Sequence, residues 1–392
     1  MAKSTYRPVP LQTTRTLESA GETFSQVFDA RKGRGAVSNI QGRYETQQRV
    51  GFDDGWGTGE EGDADGEAGA LRTVVTEEVA KTIISRNKSP DLPFNVSLNP
   101  YRGCEHGCVY CFARPTHAYL GLSPGLDFES RIFAKVNAPE LLRKELAKPS
   151  YVAETITVGI NTDAYQPCER ELQITRRILQ VLDECRHPAA LITKSSLIER
   201  DVDILAAMAS RRQVIAAVTI ATLDPALARK LEPRAATPTR RLRVIRTLAD
   251  AGIPVSVSIA PIIPFINEPE LESIVAAAAD AGAHRAGYTV LRLPWEVNPL
   301  FQQWLLTHFP DRANRVMNRI REMRGGKDND SDFATRMRGE GVWADLIRQR
   351  FDKAVKRSAM YQRGWFDMLD ASQFVPPARP PRVSLSGQFN LF

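Results

Sequence analysis

"FNVSLNPYRGCEHGCVYCFARPTH", residues 94–117, joins a short β-rich run to a loop holding three of the chain's five cysteines. The run 94–100 alternates and ends on Asn-Pro, which predicts a strand and its exit. Cys104, Cys108 and Cys111 follow at C-x3-C-x2-C spacing. In parallel α/β folds the loops after strand C-termini form the active face. The thiols therefore fall where such folds do chemistry.

Similar runs recur downstream: "TITVGI" (155–160), "AALITK" (189–194), "VIAAVTIA" (214–221), "PVSVSIAP" (254–261) and "GYTVLRL" (287–293). They are short, apolar and β-branched, as strands buried on both faces should be. Helical patterns separate them, among them "APELLRKELAK" (138–148), "RELQITRRILQVLDECR" (170–186) and "TPTRRLRVIRTLADAG" (237–252). The last opens at Thr237, a good N-cap, and closes on Gly252, a good C′ residue. Alternation of this kind predicts a parallel sheet with right-handed crossovers, either an open doubly wound sheet or a barrel. No G-x-G-x-x-G follows the first strand, which weakens the dinucleotide-binding option. Beyond residue 297 the pattern turns helical, and 342–369 reads as a long amphipathic stretch with a break near Gly364.

The 392 residues carry 52 Lys+Arg against 46 Asp+Glu, a net +6. That is too small for a histone-like protein, but it fits one that meets a polyanion on one face. No apolar run approaches a membrane span, and the N-terminal residues lack the apolar stretch of a secretory signal, so no membrane association is expected. An odd number of cysteines, three of them clustered, does not form a disulfide framework, and a reducing cytoplasm is the expected setting. Residues 52–71 hold seven acidic side chains and no basic one, which predicts a disordered linker. "RKGRGAVSN" upstream reads as a basic patch, either solvated or touching phosphate. The expected organisation is a flexible N-terminal arm and linker (1–71), a barrel (72–300), a helical C-terminal region (301–375) and a Pro-rich tail (376–392).

Three crowded thiols admit several chemistries. Structural zinc normally takes four ligands in two separated pairs. Here no second C-x-x-C exists, His106 lies between two cysteines, and His117 is the other fourth candidate. A redox dithiol needs only two cysteines. A 4Fe–4S cluster held by three thiolates leaves one iron free to bind something else.

The pattern C-x3-C-x-aromatic-C, with Tyr110 before Cys111, resembles the radical SAM superfamily. Residues 89–146, including "ARPTH", resemble its spore photoproduct lyase-like branch, proteins often labelled DNA repair photolyases. The resemblance implies a partial (β/α)6 TIM-type barrel, with Cys104, Cys108 and Cys111 on a 4Fe–4S cluster. It further implies S-adenosyl-L-methionine on the open iron, cleaved reductively to a 5′-deoxyadenosyl radical. An electron donor such as a flavodoxin or ferredoxin is then expected.

The remaining candidates line the same mouth. Asn161, Thr162 and Asp163 follow the second strand, where the superfamily receives the methionine amino group; they form either that contact or a capped turn. Cys168 is either a hydrogen donor to a product radical, as the branch implies, or a small buried hydrophobe. Lys194 and Ser196 end the third strand. Ser258 shares a polar face of the fifth with Ser256, directed at ribose and carboxylate or simply satisfied inside the barrel. Arg234, after the fourth, reads as an anion contact or a surface residue.

The tail ends "QFNLF", in which Gln388, Leu391 and Phe392 resemble a peptide for the bacterial sliding clamp. Residues 311–357 hold thirteen Lys/Arg and eight Asp/Glu, a local +5, consistent with DNA nearby. The expected function is radical chemistry for DNA repair or nucleic-acid modification. The alternatives are a clamp-recruited accessory or redox-sensing iron–sulfur protein, and radical modification of RNA or protein.

Overall fold

Every β-rich run forms a strand. The computed structural model describes residues 30–45, 71–361, 364 and 366–378. Its strands are β1 Val74–Glu78, β2 Ile84–Arg86, β3 Val96–Leu98, β4 Tyr101–Arg102, β5 Arg131–Lys135, β6 Ile156–Val158, β7 Ala189–Thr193, β8 Val214–Thr219, β9 Val255–Ile262 and β10 Arg285–Val290. One sheet runs β10-β9-β8-β7-β6-β3-β2. All pairs from β3 to β10 are parallel, while β2 lies antiparallel at the edge. Sequential strand order, with no reversal, requires every right-handed crossover on the same face. This settles the open alternative in favour of a curved (β/α)6 barrel, and among the described residues β10 and β3 do not pair to close it.

The helices are α1 Leu126–Ser130, α2 Ala138–Leu146, α3 Glu169–Leu172, α4 Ile174–Glu184, α5 Val202–Ser210, α6 Pro225–Leu231, α7 Pro238–Asp250, α8 Leu271–Asp280, α9 Val297–His308, α10 Pro310–Glu322 and α11 Gly341–Arg357. The apolar stripes of α2, α4, α5, α7, α8 and α11 meet the outer strand face, whereas α6, α9 and α10 form a second cluster with the cysteine loop. Ile174, Ile178, Val181 and Leu182 of α4 share one core with Val96, Leu98, Ile156, Val158, Leu191, Val218 and Val257. Each such side chain contributes about 1.5–3 kcal/mol when taken from water. The intervening positions face inward, because side chains alternate along a strand. They are Ser97, Thr157, Ala190, Ile192, Ile215, Ala217, Thr219, Ser256, Ser258, Arg285 and Gly287, paired in register. Small and polar residues, Ala217, Thr219, Ser258 and Gly287, line the inner face toward the C-terminal ends of β8, β9 and β10, whereas Ile215 and Arg285 occupy it nearer their N-terminal ends.

Helix α7 begins and ends where its sequence signals it. Thr237 accepts the Arg240 N–H at 3.3 Å, and Gly252 takes φ 73°. Two expectations change. The stretch 170–186 is two helices, because Gln173 adopts φ 51° between α3 and α4. The last long helix stops at Arg357, ahead of Ala359 at φ 53°, and not near Gly364. The C-terminal segment folds back under the barrel: Asp370 N–H donates to Arg212 O at 2.8 Å and Val375 N–H to Cys185 O at 2.8 Å.

A second sheet, β1-β5-β4, carries the entry to the cysteine loop. The segment 30–45 departs from the expected flexible arm. Arg34 and Ala36 are buried there, because their polar groups find partners on Glu129. The expected linker at 52–71, apart from Leu71, and the "QFNLF" terminus lie outside the described residues. No helix among the described residues is long and apolar enough to cross a membrane.

Candidate functional site

The cysteine loop leaves β4 at the C-terminal end of β3 and winds through two left-handed glycines, Gly103 at φ 76° and Gly107 at φ 67°. A side chain at Gly103 would crowd the Phe128 carbonyl and the His117 ring. These turns bring the three cysteines together. Cys104 and Cys111 pack with Ala113 and Phe128, while Cys108 packs with Val109 and Tyr110 and also meets Cys111. None forms a disulfide. Burial pushes the Cys104 and Cys108 thiols up, Cys108 to about 12, and the neighbouring sulfurs raise both further.

Backbone contacts fix the loop on all sides. Cys104 N–H donates to Phe128 O at 2.9 Å and Val109 N–H to Leu231 O at 3.2 Å. Arg114, fully buried, donates Nε to Cys108 O at 2.8 Å and a terminal nitrogen to Gly107 O at 3.1 Å. It also pairs with buried Glu129. Tyr110 donates its hydroxyl to Glu232, which in turn pairs with Arg241; all three are buried.

Asp163 ties the ends of β6 and β7 to this loop. Its Oδ1 accepts from the Thr193 hydroxyl at 2.7 Å and Tyr165 N–H at 2.9 Å. Its Oδ2 accepts from Lys194 N–H at 2.8 Å and lies 3.2 Å from His106 Nδ1. Burial alone would raise this carboxyl, but His106 and the backbone donors hold it down at about 2. Thr162 donates to Gly103 O at 2.6 Å and accepts from Gln166 at 3.0 Å. Thr162 and Asp163 thus hold the scaffold, Asp163 by capping the turn at Tyr165, the alternative to a cofactor contact. Asn161 is exposed, and its N–H donates to Asn99 Oδ1 at 2.8 Å.

Lys194 extends its ammonium toward the thiols, 5.9 Å from the Tyr110 ring centre. Burial opposes its charge, but Cys108, Glu232 and Asp163 more than offset that and raise its pKa. Cys168 N–H donates to Glu105 Oε1 at 3.1 Å, and Arg234 pairs with the same carboxylate at 3.2 Å. Cys168 therefore stands beside the cysteine loop, its thiol pushed up mainly by burial. Ser258 is half-buried on the inward face of β9, and Ser196 opens the turn after β7.

The donor set suits an iron–sulfur cubane. His106 Nδ1 faces Asp163, and His117 Nε2 lies 3.0 Å from Arg131 O. No three His, Cys, Asp or Glu side chains among the described residues converge on a single-ion position. A cubane asks for no common point, because each thiolate binds a different iron.

Sequence reasoning missed Arg114, Glu129, Glu105 and Gln166. An arginine between Ala113 and Pro115, directly after the last cysteine, was the one available signal. The others act through partners far away in the chain.

An open (β/α)6 barrel with three thiols on the loop after its first strand defines a class, and the comparisons agree with it. The family model described as Radical SAM superfamily matches residues 98–278. An uncharacterized protein of Mycobacterium tuberculosis is 38% identical over 236 residues, covering 58% of this chain and 69% of the relative. An uncharacterized protein of Methanocaldococcus jannaschii is 29% identical over 191 residues, covering 49% and 68%. A mutant spore photoproduct lyase with bound AdoMet and dinucleoside spore photoproduct superposes with TM-score 0.49 at 13% identity, covering 74% of this chain and 81% of that one.

The chain belongs to the radical SAM superfamily. It is a radical SAM enzyme, and the cofactors of that superfamily are a 4Fe–4S cluster and S-adenosylmethionine.

Proposed function

We propose that Cys104, Cys108 and Cys111 hold the cluster and that the barrel mouth above them takes a base of a nucleic acid for modification or repair. When bound, the cofactors supply hydrogen-atom abstraction after one-electron cleavage of a C–S bond. The chain's own residues position and shield. Lys194 offsets negative charge at the thiolates, and the small inward side chains Ser258, Thr219 and Gly287 leave room for the nucleoside of the cofactor. Cys168 stands near enough to the loop to serve as a hydrogen donor.

The observation that carries the substrate class is the rim. Phe112, 44% exposed, follows the last cysteine and lies 6.0 Å from the Arg292 guanidinium. Three residues on, Trp295 is 54% exposed, with Arg43 stacked on it at 4.2 Å. Tyr44 stacks on Tyr119 at 5.2 Å, and both are exposed. Interleaved aromatics and guanidinium groups are what unstacked bases and their phosphates bind. Exposed rings grouped with guanidinium groups in this way mark an interaction site.

Binding of a fluorescent single-stranded oligonucleotide tests this. Trp295→Ala with Tyr119→Ala weakens it at least about tenfold, since each stacked base contributes about 1–3 kcal/mol. Unchanged affinity sinks the nucleic-acid reading and leaves protein modification. The terminal Gln388, Leu391 and Phe392 would bring this activity to the sliding clamp, in the cytoplasm.

A further inference from the structure

Glu129, on α1, is fully buried and accepts from two separate parts of the chain. Gly35 N–H donates to its Oε2 at 2.9 Å and Ala36 N–H to its Oε1 at 2.8 Å. Arg114 pairs with the same carboxylate and holds the carbonyls of Gly107 and Cys108 at 3.1 and 2.8 Å. The residue before Glu129, Phe128, receives Cys104 N–H at 2.9 Å. One turn of α1 therefore fixes the backbone at two of the three cysteines, directly at Cys104 and through Arg114 at Cys108.

The N-terminal segment lies directly on this arrangement. A Cβ at Gly35 would overlap the Gly107 carbonyl, and one at Gly107 would come within 2.7 Å of Glu129 Oε2. Arg34 adds a third tie, its guanidinium donating to Glu129 O at 2.7 Å and to Thr73 Oγ1 at 3.1 Å. Buried polar groups satisfied this completely are costly to disturb. Residues 34–36 also fall outside the stretch that matches the superfamily, 98–278.

We infer that Gly35, Ala36, Glu129 and Arg114 form a clamp that positions the cysteine loop around its cluster and seals one side of it from solvent. This rests on Cys104, Cys108 and Cys111 being the cluster ligands and is independent of the substrate. Neither Glu129 nor Arg114 is a catalytic residue. They act through the backbone of the ligating cysteines, as partners behind the ligands of a metal site do.

The test uses the full chain, reconstituted anaerobically with iron and sulfide, in four variants. Gly35→Val wedges the strap from the loop. Glu129→Gln keeps the volume but removes the charge. Arg114→Lys keeps the charge but loses the fork that spans two carbonyls. Cys108→Ala removes a ligand. Iron and sulfide per chain, the low-temperature electron paramagnetic resonance (EPR) spectrum of the reduced protein, and the rate of bleaching in air are measured together with circular dichroism.

The three clamp variants keep parent secondary structure, show altered EPR g values and bleach about tenfold or more faster. The lysine does not rescue. Parent spectra and parent bleaching rates in Glu129→Gln and Arg114→Lys overturn the clamp, and those two decide if Gly35→Val aggregates. Full iron and sulfide loading in Cys108→Ala instead overturns the ligand assignment, a separate failure from that of the clamp.

Discussion

Replacing Asp163 by asparagine tests whether this carboxylate is a structural tie at the site. Both oxygens face donors: the Thr193 hydroxyl and Tyr165 N–H on one, Lys194 N–H and His106 on the other. Each oxygen faces a backbone N–H, Tyr165 on Oδ1 and Lys194 on Oδ2, that cannot become an acceptor. Whichever way the asparagine amide is flipped, its NH2 meets donors. Unsatisfied buried donors cost about 1–3 kcal/mol each, so Asp163→Asn is expected to destabilise by about 2–4 kcal/mol. The depressed carboxyl, which reflects the same contacts, gives a figure of the same size. It sits at about 2 in the folded protein against an ordinary 3.8, and at about 1.4 kcal/mol per unit that amounts to about 2 kcal/mol. A depressed carboxyl contributes fully above the unfolded value and loses its contribution as pH falls toward the folded one. Urea unfolding at pH 7 therefore shows a lower midpoint with unchanged slope in the variant. Between about pH 4 and 2 the parent loses stability more steeply than the variant. A variant within about 0.5 kcal/mol of the parent at pH 7, a change typical of surface substitutions, or parallel acid profiles, would refute the reasoning.

Glu232→Ala leaves Arg241, 1% exposed, without its carboxylate, and is expected to cost about 3–5 kcal/mol. Glu232→Ala combined with Arg241→Met recovers much of that in chemical denaturation. His187, buried and held near pKa 4 by burial, accepts from the Tyr151 hydroxyl across 2.8 Å. Its unfolded form takes up protons first, so stability falls as pH drops from about 6.5 to 4, and His187→Gln flattens that slope in urea titrations. Removing Gln388–Phe392 is expected to abolish binding to a sliding clamp in surface plasmon resonance while leaving oligonucleotide affinity unchanged.

The barrel was legible because its strands are contiguous β-branched runs whose spacing survives in any context. The strand order that separates a barrel from a doubly wound sheet was not, since it depends on pairing between distant segments. The small sheet was hidden for the same reason: Tyr101–Arg102 is a two-residue strand formed only against β5. At the site, cysteine spacing pointed to iron–sulfur chemistry, whereas the clamp left no local trace. "RKGRG" reads as solvated because its partner Glu129 lies 94 residues from Gly35. Asp163 was placed at the mouth, yet its role turned on His106 and Thr193, which a linear reading cannot bring to it. Gln173 sits inside an unbroken amphipathic run, and nothing in its type announces a left-handed residue.

The central claim is that three thiols on this loop carry the cluster that cleaves S-adenosylmethionine. The direct measurement is anaerobic reconstitution, verification of a full 4Fe–4S complement, reduction with dithionite, and quantification of 5′-deoxyadenosine. The account predicts deoxyadenosine from the parent chain and none from Cys104→Ala, Cys108→Ala or Cys111→Ala. A fully loaded parent that yields none, or alanine variants that match it, would contradict the account.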